Sequence, residues 1–365
     1  MKKHLLTHIK LKIVIFEETI NIKMKKIVVL SLCSALLFGC APGSGLTKPK
    51  KTKEISEYIN TINKEDLSKH LYIVAGDEMA GRDTGSEGQK KAGQYLINHY
   101  KSLGISYPTG ASSYYQPIPG EFMTKKFGNK VDDSENIWAF IKGNEFPDEI
   151  VVISAHYDHV GNKNDEIYNG ADDDGSGTVA LLEIAEAFAK ARKEGNGPKR
   201  SVLFLHVTAE EKGLHGSRYY SENPIFPMRN TVVDINIDMI GRVDPEHEEN
   251  PNYIYVIGSD RLSTELHEIN EAMNTKYIGL NLDYKFNDRN DPERIYFRSD
   301  HYNFAKNGVP SIFFFNGVHA DYHQPSDTPD KINYELMTKR AQLAFADAWE
   351  IANRDKRIIA DKNGE

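Results

Sequence analysis

Apolar residues recur along this chain at two spacings, and the places where the spacing changes mark out its elements. From about Glu54 to Gly104 the interval is helical: Leu71, Val74 and Ala75 share one face, and Glu87 to Leu103 is an amphipathic run ended by Gly104. Between them, Met79-Ala-Gly-Arg-Asp-Thr-Gly-Ser86 is a polar turn with two glycines. Asn136-Ile-Trp-Ala-Phe-Ile141 and Ile150-Val-Val-Ile-Ser-Ala155 are short β-type runs. The second is almost wholly apolar and bounded by charge, the pattern of a strand buried on both faces.

Ser176 to Lys193 carries Val179, Leu182, Ile184, Ala185 and Phe188 as a broad stripe and predicts a helix. A buried strand at Ser201–Val207, a short helix near Gly216–Ser221 and a strand at Val232–Ile237 follow. Further on come a strand at Tyr253–Ile257, a helix over Leu262–Met273, a strand at Ser311–Phe315 and a closing helix from about Tyr334 to Ala352. Strands alternating with helices predict an α/β sheet covered on both faces. Without an internal repeat or a second linker, residues 55–354 read as a single domain and 355–365 as a polar tail. The pocket-forming segments from 243 to 298, outside the strand at Tyr253–Ile257 and the helix over Leu262–Met273, are rich in charge and loop signals, and their path is not legible.

The N-terminus has a different texture. Met24-Lys25-Lys26 precedes a hydrophobic tract, Ile27 to Gly39, too short to span a bilayer comfortably and positive at its front, so it reads as a secretory signal. Met24 makes a better signal start than Met1, which makes residues 1–23 an over-called start. Leu37-Phe38-Gly39-Cys40 resembles a bacterial lipobox, with Cys40 as the lipid attachment point. Residues 1–40 are thus start and signal, and the small, polar, basic residues 41–54 a tether. The expected location is the bacterial cell envelope, periplasmic side or cell surface, with membrane contact only through the lipid. Both cysteines, Cys33 and Cys40, belong to this leader, so the folded body holds neither a disulfide nor a Cys-bound metal.

Composition narrows the function further. The formal charge is -8, and residues 1–39 carry seven Lys and two Glu, which leaves 38 Lys+Arg against 51 Asp+Glu. A surface that acidic excludes nucleic acid as the expected partner.

Carboxylates and imidazoles gather at the ends of the predicted strands. His156 and Asp158 follow the strand ending at Ala155, Glu210 and Glu211 follow the next, and Asp238 follows a third. Open α/β sheets bind ligands at the carboxyl ends of their strands, so these residues can converge on one crevice. Asp158 can accept the second imidazole N–H of His156. In Asn169-Gly-Ala-Asp-Asp-Asp-Gly-Ser-Gly177, helix capping uses one or two aspartates and leaves another free to bridge two cations. Of the Glu pair, one can bind metal while its neighbour takes a proton from water. Asp238 ends an apolar run that disfavours an unpaired charge. His323 lies in the turn-rich loop after 311–315. Two imidazoles in the set favour zinc over calcium.

The ordered set His156-Tyr-Asp158, Gly170-Ala-Asp-Asp-Asp-Gly-Ser-Gly177, Ala209-Glu-Glu-Lys-Gly213, Ile237-Asp-Met239 and Tyr322-His-Gln-Pro-Ser-Asp-Thr328 resembles the M28 family of zinc aminopeptidases. The similarity also takes in Ala80–Ser86, Ser299-Asp-His301 and Gly308-Val-Pro310, and so covers roughly 70–354. It implies a three-layer, mixed, mostly parallel β-sheet of zinc-exopeptidase type and two Zn2+ per chain. Asp173 would bridge them, with His156 and Asp238 on one and Glu211 and His323 on the other. Glu210 would be the general base in hydrolysing N-terminal residues from peptide substrates, and Asp158 the acid that orients His156. Asp300 and His301 match a pocket-lining segment, whereas His159, His206, His215 and His319 match no ligand position and read as ordinary. Two alternatives stand beside this one: a glutaminyl cyclase-like aminoacyltransferase using a single zinc, and a non-catalytic binding relative of the same fold.

Overall fold

A computed structural model describes residues 54–127 and 130–363. The expectations for residues 1–53, namely start, signal, Cys40 and most of the tether, lie outside the described residues.

An eight-stranded mixed sheet organises the chain. Its strands are β1 (Tyr115–Ile118), β2 (Ser134–Ile141), β3 (Phe146–His156), β6 (Arg200–Val207), β7 (Thr231–Ile237), β8 (Tyr253–Ile257), β9 (Asn281–Asp283) and β10 (Ser311–Phe315). Two short strands, β4 (Asn162–Lys163) and β5 (Glu166–Ile167), form a separate hairpin after β3. The order in the sheet is β1-β2-β6-β3-β7-β10-β8-β9. At its centre β6, β3, β7 and β10 all run parallel. Their carboxyl ends therefore form one edge, and that edge carries the chemistry.

The helices are α1 (Ile55–Ile59), α2 (Lys64–Val74), α3 (Glu87–Ser102), α4 (Gly120–Phe127), α5 (Gly177–Lys193), α6 (His215–Glu222), α7 (Thr264–Met273), α8 (His301–Ala305) and α9 (Tyr334–Asn353). The nearly all-apolar β3 is buried on both faces because alternate side chains feed two cores. Val151, Ile153 and Ala155 pack with Leu96 of α3, Val179 and Phe188 of α5 and Phe345 of α9. Ile150 and Val152 pack with Leu203 and Leu205, Tyr220 of α6 and Phe304 of α8. This is the predicted three-layer arrangement, a mostly parallel sheet between helices. Each fully buried aliphatic side chain contributes about 1.5–3 kcal/mol, so Ile153→Ala costs about 2–5 kcal/mol once its cavity is counted.

Local signals set the helix ends. Ser86 Oγ accepts the Gln89 N–H at 3.2 Å to open α3. Gly104, at φ 69, closes it with Ile105 N–H donating to Tyr100 O at 3.0 Å. After α9 the chain stays on the body: Ile358 is buried, and Asp361 Oδ1 accepts the Thr264 N–H at the start of α7.

The segment read as a polar turn, 79–86, carries a buried clamp. Arg82 is fully buried and donates to the carbonyls of Tyr157, Val74, Asn169 and Gly170 at 2.7–3.0 Å. It thereby ties the end of β3 to the aspartate loop before α5. Only glycine fits at 81, where φ is +68 and a Cβ would lie 2.4 Å from Gly161 O.

Candidate metal centre

Each functional side chain is delivered by a strand end or by the loop behind it. His156 is the last residue of β3, Glu210 and Glu211 follow β6, Asp238 directly follows β7, and His323 lies in the loop after β10. Three non-glycine residues turn the backbone left-handed at these ends: Ala209 (φ 54), Met239 (φ 61) and His323 itself (φ 55). Such conformations cost about 1–3 kcal/mol each and cluster where a side chain must be aimed.

The groups meet around Asp173. His156 Nε2 lies 3.2 Å from Asp173 Oδ1, 3.6 Å from Asp238 Oδ1 and 4.0 Å from Glu210 Oε2. On the other side His323 Nε2 is 2.9 Å from Asp173 Oδ2 and 3.1 Å from Glu211 Oε2. His159 Nδ1 is 2.9 Å from Glu211 Oε1 and 3.7 Å from Asp173 Oδ2. Asp173 thus presents one oxygen to each of two groups, His156 with Asp238, and Glu211 with His323 and His159. Within each of the triads His156/Asp173/Asp238 and His159/Asp173/Glu211 the ligand atoms lie within 4.8 Å of one another.

These atoms suit a cation better than they suit each other. His156 Nε2, Asp173 Oδ2, Glu211 Oε1, His323 Nε2 and both ring nitrogens of His159 are buried without a well-formed hydrogen bond. Buried polar atoms are normally satisfied, and a convergent set that is not points to a missing partner. Imidazole and carboxylate ligands about 3 Å apart suit zinc bonds of about 2.0–2.2 Å.

The surroundings orient the ligands. His156 Nδ1 lies 3.0 Å from the Asp158 carbonyl oxygen, which can only accept, so Nδ1 carries the hydrogen and the Nε2 lone pair faces Asp173. Asp158 therefore orients His156 through its main chain. Its carboxylate stands 3.8 Å from the ring and instead accepts from Thr84 Oγ1 (2.9 Å) and the Glu210 N–H (3.2 Å), because those donors converge on it from two loops. Asp238 Oδ2 accepts from Ser299 Oγ at 2.6 Å. Asp174 faces away from the centre and takes the N–H groups of Gly177 and Met239.

Negative charge is crowded here. Burial, with the charges of Glu211, Asp238 and Asp300, holds Glu210 well above the usual carboxylate range, against the pull of His156. Burial also lifts Asp158 to about 6 and Asp300 to about 7, the latter with help from Asp238 and Asp158. Burial opposes protonation of His156, yet Asp238, Glu210 and the contact with Asp173 hold its pKa well above the ordinary value. A divalent cation is the direct remedy for such a field.

Of the predicted residues, His156, Asp173, Glu210, Glu211, Asp238 and His323 come together, with Asp158 immediately behind them. His301 is fully buried and stacks on Phe313, away from the ligands, and Asp300 accepts from Ser217 Oγ. His206 meets Tyr100 Oη at 2.6 Å and His319 meets Asp172 at 3.1 Å, both apart from the ligand groups. The sequence reading passed over His159, which stands inside the centre. Its only signal is a position three residues after His156 in the same strand-end loop.

Fold and site together define a metal-dependent hydrolase of zinc-exopeptidase type. The chain belongs to peptidase family M28, whose profile matches residues 136–347. It is similar to a probable leucine aminopeptidase of Arthroderma otae, 29% identical over 323 residues covering 85% of this chain and 82% of that protein. Aminopeptidase YwaD of Bacillus subtilis is 28% identical over 57% of this chain and 42% of its own length. In structure it resembles an aminopeptidase from Aneurinibacillus sp. strain AM-1 (TM-score 0.62, 17% identity, 84% of this chain and 98% of that one). Porphyromonas gingivalis glutaminyl cyclase has the same fold (TM-score 0.59, 17% identity, 78% and 96%), so the fold alone does not separate peptidase from cyclase. As a member of that peptidase family the chain is a metallopeptidase, and the family implies peptide substrates.

Proposed function

We propose that this protein is an aminopeptidase with two zinc ions, using Glu210 as general base. The observation that carries the reading is the set of unpartnered buried ligand atoms arranged on both sides of Asp173. His156, Asp238 and one oxygen of Asp173 would hold one zinc; Glu211, His323 and the other oxygen of Asp173 would hold the second. Zinc bound there supplies Lewis acidity, which makes water more acidic and draws electron density from a peptide carbonyl. The protein's own residues do the rest. Glu210, fixed at its N–H by Asp158 and held by burial above the usual carboxylate range, removes the proton of the attacking water and delivers it to the leaving amine.

A pocket that has Asp173, Glu210 and Asp238 at its metal end is walled further out by Met239, Ile295, Phe313, Phe315, Val318 and Tyr322, with Arg298 beside them. The apolar walls suit an apolar N-terminal side chain, and Arg298 disfavours Lys or Arg. The test is zinc quantification alongside a panel of leucyl, phenylalanyl and lysyl amides, internal peptides and N-terminal Gln peptides. Two zinc ions per chain with cleavage of the apolar amides are expected. Cleavage of internal peptides alone would remove the aminopeptidase assignment, and one zinc with cyclisation of Gln would replace it by a cyclase. Export and anchoring through Cys40 belong to the same proposal, and release of the Cys40→Ser protein from membranes is the outcome that supports them.

A further inference from the structure

His159 is the one buried imidazole at this centre that neither the sequence pattern nor the two-zinc scheme uses. It is fully buried, Nε2 has no hydrogen-bond partner, and Nδ1, though not aligned for a well-formed bond, lies 2.9 Å from Glu211 Oε1. The other oxygen of Glu211, Oε2, faces His323 at 3.1 Å. The two oxygens of one ligand are therefore divided between two imidazoles. The slot for the ring is built in: the His159 N–H donates to Arg82 O, and Arg82 in turn holds the carbonyls of Asn169 and Gly170. Gly170, at φ +55, has no side chain, and a Cβ there would lie 2.4 Å from His159 Cγ.

We propose that His159 is a positioning residue for the second cation site: its Nδ1–H grips Glu211 Oε1 and so turns Oε2 toward the position shared with Asp173 and His323. The division of contacts favours this over direct ligation. His323 Nε2 comes within 2.9 Å of Asp173 Oδ2, whereas His159 Nδ1 stands 3.7 Å from that atom and reaches the outer oxygen of Glu211 instead. Hydrogen bonds to a metal-bound carboxylate set its direction and are worth about 10–100-fold in metal affinity. The inference rests on the reading of Glu211 and His323 as zinc ligands.

The test is zinc affinity by chelator competition on the full folded chain, for wild type, His159→Ala and His159→Asn, together with absorption spectra of the cobalt-substituted proteins. His159→Ala is expected to weaken the weaker-held zinc about 10–100-fold. His159→Asn, whose amide N–H takes the place of Nδ1–H, is expected to restore most of that affinity with the cobalt bands unmoved. Wild-type affinity in His159→Ala overturns the proposal. Weak binding in His159→Asn with shifted cobalt bands also overturns it, because that marks a directly bound imidazole. Should the Ala variant fail to fold, the Asn variant alone decides between these outcomes. The wild-type zinc count is a separate readout: a count of one overturns the two-zinc reading, while the affinity comparison still tests His159.

Discussion

Asp172 and Asp173 are neighbours in one loop, both buried, and each faces an imidazole, yet they belong to different kinds of cluster. Asp172 accepts from the Gly241 N–H at 2.6 Å and meets His319 Nε2 at 3.1 Å. Asp327 beside it takes the N–H groups of Asp172 and Asp173, with Arg242 3.8 Å away. Every carboxylate oxygen in this first cluster has a protein donor. Around Asp173 the oxygens and nitrogens converge instead on positions that no protein donor fills. Aspartate and imidazole occur in both clusters; what separates a structural polar knot from a metal centre is whether its carboxylate oxygens are satisfied without an ion.

The sharpest way to break that contrast is to remove the base while sparing the ligands. Glu210→Gln is expected to lower kcat by about 10²–10⁴-fold, the usual worth of general base catalysis, with zinc content unchanged by elemental analysis. Near-normal turnover would falsify the role given to Glu210. Next in size, His323→Ala removes an imidazole that approaches both Asp173 and Glu211. It is expected to lose one zinc per chain and activity in proportion, and retention of the full zinc complement at wild-type affinity would take His323 out of the ligand set.

The satisfied cluster should answer differently. His319→Ala leaves Asp172 Oδ2 without its donor, at a cost of about 1–3 kcal/mol, read as a fall of a few degrees in Tm. Zinc per folded chain should not change. Loss of zinc with an unaltered Tm would show that the two clusters are not functionally distinct.

Why some of this was legible in the sequence and some not follows from the same contrast. The strands of the centre announce themselves because β3, β6, β7 and β10 are mostly apolar runs buried on both faces, and the strand-end rule then collects His156, Glu210, Glu211 and Asp238 without any knowledge of tertiary contacts. Arg82 reads as part of a polar turn because its acceptors are backbone carbonyls as far away as Asn169 and Gly170, and carbonyls leave no trace in residue identity. His159 is hidden for a related reason: its slot exists only because position 170 lacks a side chain. The illegible stretch 243–298 is held by distant polar contacts, such as Arg340 donating to the carbonyl of Tyr253 and, just before the stretch, to those of Ile240 and Arg242. Aromatic packing of Tyr255, Phe286 and Ile295 completes it.

The smallest effect on the metal centre is expected far from its ligands, where burial is tested without an ion. Asp347 of α9 is fully buried, and its Oδ2 accepts from Asn270 Nδ2 at 2.8 Å while Oδ1 has no partner. Burial, aided by the charge of Glu350 and opposed by the Asn270 hydrogen bond, lifts its pKa from 3.8 to about 8. Between those values the folded chain holds a proton that the unfolded chain has lost. The stability this group contributes is therefore full below about pH 4 and falls as pH rises toward 8. Asp347→Asn keeps an acceptor for Asn270 and cannot ionise. Its Tm relative to wild type should rise steadily from pH 5 to pH 8, with zinc content and the Leu-amide pH profile unmoved. A Tm difference flat across that range would mean that Asp347 is satisfied in its charged form, and that an unpartnered buried carboxylate oxygen does not by itself mark a site in want of a cation.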